Sequence, residues 1–127
     1  MTNISYSAVV LDENSKGRLI KRFNSMIPND WKIFCDHMTI NLGAIDPAYA
    51  KYLGMSVQIS VDSIAIDDKV MAVGVNGFYS KNNHPHITIA VNRQNGGKPM
   101  MSNNLTDWTP LKIPLLLKGI VTEVEYS

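Results

Sequence analysis

Alternating apolar and polar residues mark most of this chain as strand. Ile4 to Leu11 is a β-rich run of Ser, Tyr, Ala, Val and Leu that stops at Asp12-Glu13-Asn14. Leu19, Ile20, Phe23 and Met26 then recur at helical spacing, while Lys16, Arg18, Lys21 and Arg22 are left for solvent. Asp12 or Asn14 caps this helix and Pro28 ends it. Trp31 to Phe34 leads into a strand that runs to about Leu42 and stops at Gly43. Asp46 caps, and Pro47 opens, a short helix closed by Gly54. Met55 to Ile66 alternates through Val57, Ile59, Val61 and Ile64, and Asp67-Asp68-Lys69 turns it into Val70 to Val75, which predicts a hairpin. Beyond the turn-like Asn82 to Pro85, a strand spans about His86 to Val91. Asn92 to Pro99 predicts a flexible loop, Ser102 to Trp108 a capped turn or short helix, and Leu115 to Val124 a closing strand. This order predicts an α+β fold with helix packed on an antiparallel sheet.

Two of these strands carry the same tripeptide pattern, His37-Met38-Thr39 and His86-Ile87-Thr88. Side chains at i and i+2 leave one face of a strand, so His37 and Thr39 point together into a groove while Met38 and Ile40 enter the core. In the second copy His86 and Thr88 face out, and Ile87, Ile89 and Val91 face in. Outside the tripeptides and their strands the halves are not strongly alike, which suits an old duplication with pseudo-twofold symmetry rather than a solenoid. Two imidazoles, each with a hydroxyl beside it, can move a proton in on one side of an anion and out on the other.

Composition narrows the partners. At 127 residues, 45% hydrophobic and 18% charged, the chain is expected to be one domain, spanning 1–127, with an ordinary soluble balance. Its formal charge of +1 argues against duplex DNA and leaves a small anionic ligand open. Cys35 is the sole cysteine, which excludes an intramolecular disulfide and a multi-thiolate metal site. Met1 to Tyr6 lacks the basic start and apolar stretch of a secretory signal, and no apolar run reaches about 18 residues, so a cytoplasmic home and no membrane partner are expected.

Several other residues invite a role. His84 is expected in an exposed turn, although His37, His84 and His86 together are an alternative metal-ligand set. Lys98, behind two glycines, is a candidate phosphate clamp. Ser102 suits a helix-start cap better than a ligand contact, Asn103 is similar, and Arg93 is an exposed arginine. Tyr6, Phe78, Tyr79 and Trp108 are candidate stacking surfaces for a base, whereas Trp31 and Phe23 suit the core. Cys35 is expected on the face of His37, and Asp36 on the opposite one.

These residues resemble the two-histidine phosphoesterases, a family named for paired His-x-Thr or His-x-Ser motifs on neighbouring strands. Lys98-Pro99-Met100-Met101-Ser102-Asn103-Asn104-Leu105 is also similar to a Lys-Pro-x-x-Ser-Asn-x-Leu tract of cyclic phosphodiesterase modules in fungal and plant transfer RNA ligases. The resemblance implies a bilobal α+β fold, antiparallel sheets lining a central groove with helices outside. It implies a phosphodiesterase for ribose 2′/3′ linkages that needs no metal or other cofactor. His37, Thr39, His86 and Thr88 would be catalytic, with Tyr6, Lys98, Ser102 and Asn103 binding substrate. For a 2′,3′-cyclic phosphate the preferred assignment is His37 as base and His86 as acid; the residues themselves leave the order open. The nucleotide partner is a 2′,3′-cyclic phosphate or short RNA end, or a cyclic oligonucleotide signal of the kind some viral members degrade in the host cytoplasm. A module that binds a nucleotide or RNA end without turnover is the alternative.

Overall fold

The computed structural model of the protein describes residues 3–125. Strand β1 (Ile4–Leu11) precedes helix α1 (Glu13–Phe23) and the two-residue strand β2 (Lys32–Ile33); β3 (His37–Leu42), β4 (Ser56–Ile66), β5 (Val70–Asn76), β6 (His86–Val91) and β7 (Thr109–Glu125) follow. Every pairing is antiparallel, and the order β6-β3-β1-β7-β4-β5 returns to β6, so six strands close into a barrel with β2 added against β6. Closure removes the long unpaired edges an open sheet would expose. The small α+β class stands. The strands pair into one closed sheet, and these pairings do not divide it into the two lobes that the resemblance implies.

Local chemistry explains the elements. Asp12, not Asn14, caps α1, its carboxylate accepting from the Ser15 amide at 2.7 Å. Leu19 and Phe23 are buried, but Met26 falls in a separate 3₁₀ turn, Asn24–Met26, and is exposed. The Pro47–Tyr52 segment is also 3₁₀, with Asp46 accepting from the Ala48 amide. In the β4–β5 turn, one Asp67 oxygen accepts from the Lys69 and Val70 amides at 2.8 and 2.9 Å. β7 starts at Thr109, ahead of the expected Leu115, because Pro110 and Pro114 disguise its first half. They are tolerated there because that half pairs with β4 alone; β1 takes the other edge from Gly119 onward.

The main core joins Val9, Met38, Ile40, Ile59, Val61, Val73, Ile87, Ile89, Leu117 and Val121 of the barrel to Leu19 and Phe23 of α1. A smaller cluster of Ala65, Val70, Ala72, Val91 and Leu105 packs with Met101 and Trp108. Val91 was expected inward with Ile87 and Ile89. The β5–β6 register instead steps from Met71↔Ala90 to Ala72↔Thr88, and this bulge at Ile89 resets the alternation and moves Val91 to the second cluster.

The loop expected to be flexible, Asn92 to Pro99, is fastened to the β4–β5 turn. Asn92 donates its amide to the Lys69 carbonyl at 2.8 Å, Lys69 Nζ reaches the Asn95 carbonyl, and the Asn95 side chain meets Asp68. Gly97 is required for this approach, since a Cβ there would collide with the Lys69 carbonyl oxygen.

Candidate active site

β3 and β6 meet through a single ladder pair, Met38↔Ile87, the central residues of the two tripeptides. Both side chains are fully buried. Alternation therefore sends His37, Thr39, His86 and Thr88 to the other face, and the antiparallel sense sets His37 towards Thr88 and Thr39 towards His86. Two like tripeptides paired antiparallel about their midpoints generate a local twofold relation. All four side chains line one cavity of about 1160 Å³. Tyr6 and Val10 of β1, Glu13 and Lys16 of α1, Asp36, Lys81, Asn82, Met100 and Asn103 complete much of its wall.

The two imidazoles are held differently. His37 is half-buried, with the Tyr6 ring stacked on it at 4.9 Å between centroids and 29° between planes. Burial lowers its pKa below the ordinary imidazole value, and the nearby negative Asp36 opposes that shift. His86 is 9% exposed, and its Nδ1 donates to the His84 carbonyl at 2.8 Å. A carbonyl can only accept, so the proton is on Nδ1 and the neutral ring keeps Nε2 as its basic nitrogen. Burial lowers the His86 pKa too, against the opposing pull of that carbonyl. Both rings are thus predominantly neutral at pH 7. Burial, reinforced by Asp36, raises the Tyr6 pKa, so its phenol remains protonated.

The hydroxyls also differ. Among the described residues none bonds the Thr39 hydroxyl, whereas Thr88 Oγ1 lies 2.8 Å from Ser102 Oγ and 3.3 Å from the Pro99 carbonyl. Ser102 is almost fully buried and lies outside the cavity wall, within the 3₁₀ turn Pro99–Asn104 rather than at its cap. It holds Thr88. Lys98 is exposed and also outside the wall, although its neighbours Pro99 and Met100 line it; of the four binding candidates, Tyr6 and Asn103 reach the cavity.

The cavity's lysines, Lys16 and Lys81, escaped the sequence reading. Lys16 was assigned to solvent as part of a polar helix face. Val10 pairs with His37, however, so α1, starting just beyond β1, lays its first turn beside the motif strand. Lys16 Nζ donates to Asp36 at 2.7 Å. Asp36 was expected on the face opposite His37, yet both line the cavity. Cys35 adopts a left-handed conformation, φ 54°, which ends the alternation before β3 begins. The same twist buries Cys35 away from the face of His37, its thiol 3.7 Å from the Ile89 carbonyl and pushed up to about 12 by burial, a state unsuited to a nucleophile.

Phe78 and Tyr79 pack with Tyr49, and Phe78 also with Tyr52, leaving Tyr6 as the aromatic candidate that lines the cavity. Arg93 lies in the fastened loop outside the wall. His84 is exposed, as expected, but its ring stacks on Trp108 at 4.0 Å. Among the described residues no group of three or more His, Cys, Asp or Glu is placed to hold a metal, so His37, His84 and His86 do not form the alternative ligand set. Nor is any described helix long and apolar enough to cross a membrane.

A family model described as the fungal tRNA ligase phosphodiesterase domain matches residues 19–113. The chain belongs to that family. It is thereby a member of the two-histidine phosphoesterases. The match spans both motif strands and the Lys98 to Leu105 tract of this phosphodiesterase domain. No curated protein matches the chain.

Proposed function

We propose that this phosphodiesterase domain hydrolyses 2′,3′-cyclic phosphates at RNA ends without a metal, using His37 as base and His86 as acid. The observation that carries the reading is the antiparallel join of the two motifs at Met38 and Ile87, which faces two histidines and two threonines into one cavity. The family's description favours an RNA terminus over a cyclic oligonucleotide signal.

His37 takes a proton from water as the water oxygen bonds to phosphorus. The charge of Asp36 favours the imidazolium that results. His86, protonated when the phosphate anion enters, donates from Nε2 to the ribose oxygen as its bond to phosphorus breaks, while Nδ1 stays on the His84 carbonyl. Thr39 and Thr88 donate to the non-bridging oxygens as charge accumulates there. Tyr6 and Asn103 meet the nucleoside, and Lys16 and Lys81 supply positive charge at the rim.

The decisive experiment incubates purified protein in excess EDTA with nucleoside 2′,3′-cyclic phosphates, an RNA oligonucleotide ending in one, and cyclic di- and trinucleotides. A phosphomonoester of one linkage from the first two substrates is expected, with cyclic dinucleotides and trinucleotides intact. Slow release of unaltered nucleotide would instead establish a binding module, and activity that needs added metal would overturn metal independence.

The same chemistry fixes a pH response. A base and an acid whose pKa values both lie below about 6.5 give a bell-shaped kcat/KM with its maximum on the acid side of that value. Protonation also links to folding. In that window the unfolded chain binds more protons at these two histidines than the native one, so their contribution to stability is present above about pH 6.5 and lost as pH falls. Thermal melting should therefore move down as the rate optimum is approached; an optimum above pH 7.5 would contradict the neutral, buried pair.

A further inference from the structure

We infer that His84 and Trp108 form a bracket that holds His86 in its working orientation, making both positioning residues for the proposed acid. The inference rests on the role proposed for His86. The His86 ring hangs by Nδ1 from the His84 carbonyl at 2.8 Å. The adjoining Pro85 carbonyl accepts from the Val75 amide at 2.9 Å, which hangs this segment on β5.

His84 is exposed in a turn-like stretch, yet its side chain is anchored twice. Its ring lies on Trp108 at 4.0 Å and 11° between planes, and Nε2 is 3.4 Å from Ser63 Oγ of β4. Trp108 in turn packs against the smaller apolar cluster and sits 6.4 Å from the His86 ring. Gly74, the ladder partner of His86, leaves room for the arrangement: a Cβ there would collide with Ser63 Oγ and His84 Nε2. Trp108 therefore spends a ring face on His84 and lies outside the cavity wall, so the stacking surface expected for a base serves the acid instead.

Loosening the bracket frees the His84 carbonyl to drift and lets His86 place its neutral-state proton on either nitrogen. The test uses His84→Ala, which keeps the accepting carbonyl and removes only an exposed ring, beside Trp108→Ala and Trp108→Phe. With a 2′,3′-cyclic nucleotide, kcat should fall roughly tenfold in the two alanine variants with KM within about twofold, and Trp108→Phe should recover most of it. Long-range ¹H–¹⁵N spectra of the protein without substrate should show His86 as one Nδ1–H tautomer in wild type and a mixture in His84→Ala. A folded His84→Ala protein with wild-type kcat and a wild-type His86 spectrum would overturn the bracket. Wild-type protein with the single tautomer but no turnover of any cyclic phosphate would overturn the proposed function instead, and the spectra of the variants would still decide the bracket.

Discussion

Alanine at either His37 or His86 lowers turnover of a 2′,3′-cyclic phosphate by at least about 100-fold, the scale of one lost proton-transfer partner. The two losses do not multiply, because each ring works only when the other is present to complete the transfer; the double variant should resemble the worse single one. His86 is nearly enclosed, so His86→Ala also opens a void beside the β5–β6 ladder. His86→Asn, which retains bulk and a polar group, separates loss of chemistry from loss of packing. Single-turnover rates with melting temperatures on the same samples make the measurement. Wild-type rates in both alanine variants would remove the acid–base pair from consideration.

Loss of a threonine hydroxyl comes next, at about 100- to 1,000-fold in kcat for Thr39→Ala or Thr88→Ala, the usual effect of deleting a donor aimed at developing charge. The two sites should differ in what supports them. Among the described residues none bonds the Thr39 hydroxyl, so Thr39→Ser is expected to retain most activity. Thr88 has a single hydroxyl proton, which in the free protein faces the Pro99 carbonyl at 3.3 Å; to donate to phosphate it must turn from that carbonyl while the buried Ser102 donates to its oxygen. Ser102→Ala should therefore cost about tenfold in kcat, along with about 1 kcal/mol of stability from the lost buried hydrogen bond. Equal behaviour of Ser102→Ala and wild type in both rate and melting would show that Thr88 needs no such support.

The parts of this molecule legible in its sequence are those that a two-residue or 3.6-residue period controls. β1, α1, the β4–β5 hairpin and the shared face of His37 with Thr39 follow from such local periods. Reading fails where one residue breaks the period. The left-handed Cys35 brings Asp36 round to the cavity, and the bulge at Ile89 sends Val91 out of the main core. Pro110 and Pro114 conceal half of β7 because their tolerance depends on which edge a neighbour occupies, a property of the assembled sheet. Lys16 and Lys81 enter the site through neighbours distant in sequence, as does Ser102 through Thr88. Within the Lys98 to Leu105 tract, Pro99, Met100 and Asn103 line the cavity, whereas Lys98 and Ser102 lie outside its wall and Ser102 meets Thr88.

The join at Met38 and Ile87 has a bearing on how this protein becomes competent. Each motif strand has longer ladders on its other side, β3 with β1 and β6 with β5, and those can form without bringing the histidines together. The seam between β3 and β6 also joins the two strands whose histidines and threonines line the cavity. A chain with the β1–β3 and β5–β6 ladders formed and that seam open would hold every reactive side chain and yet no site, so competence depends on the seam itself.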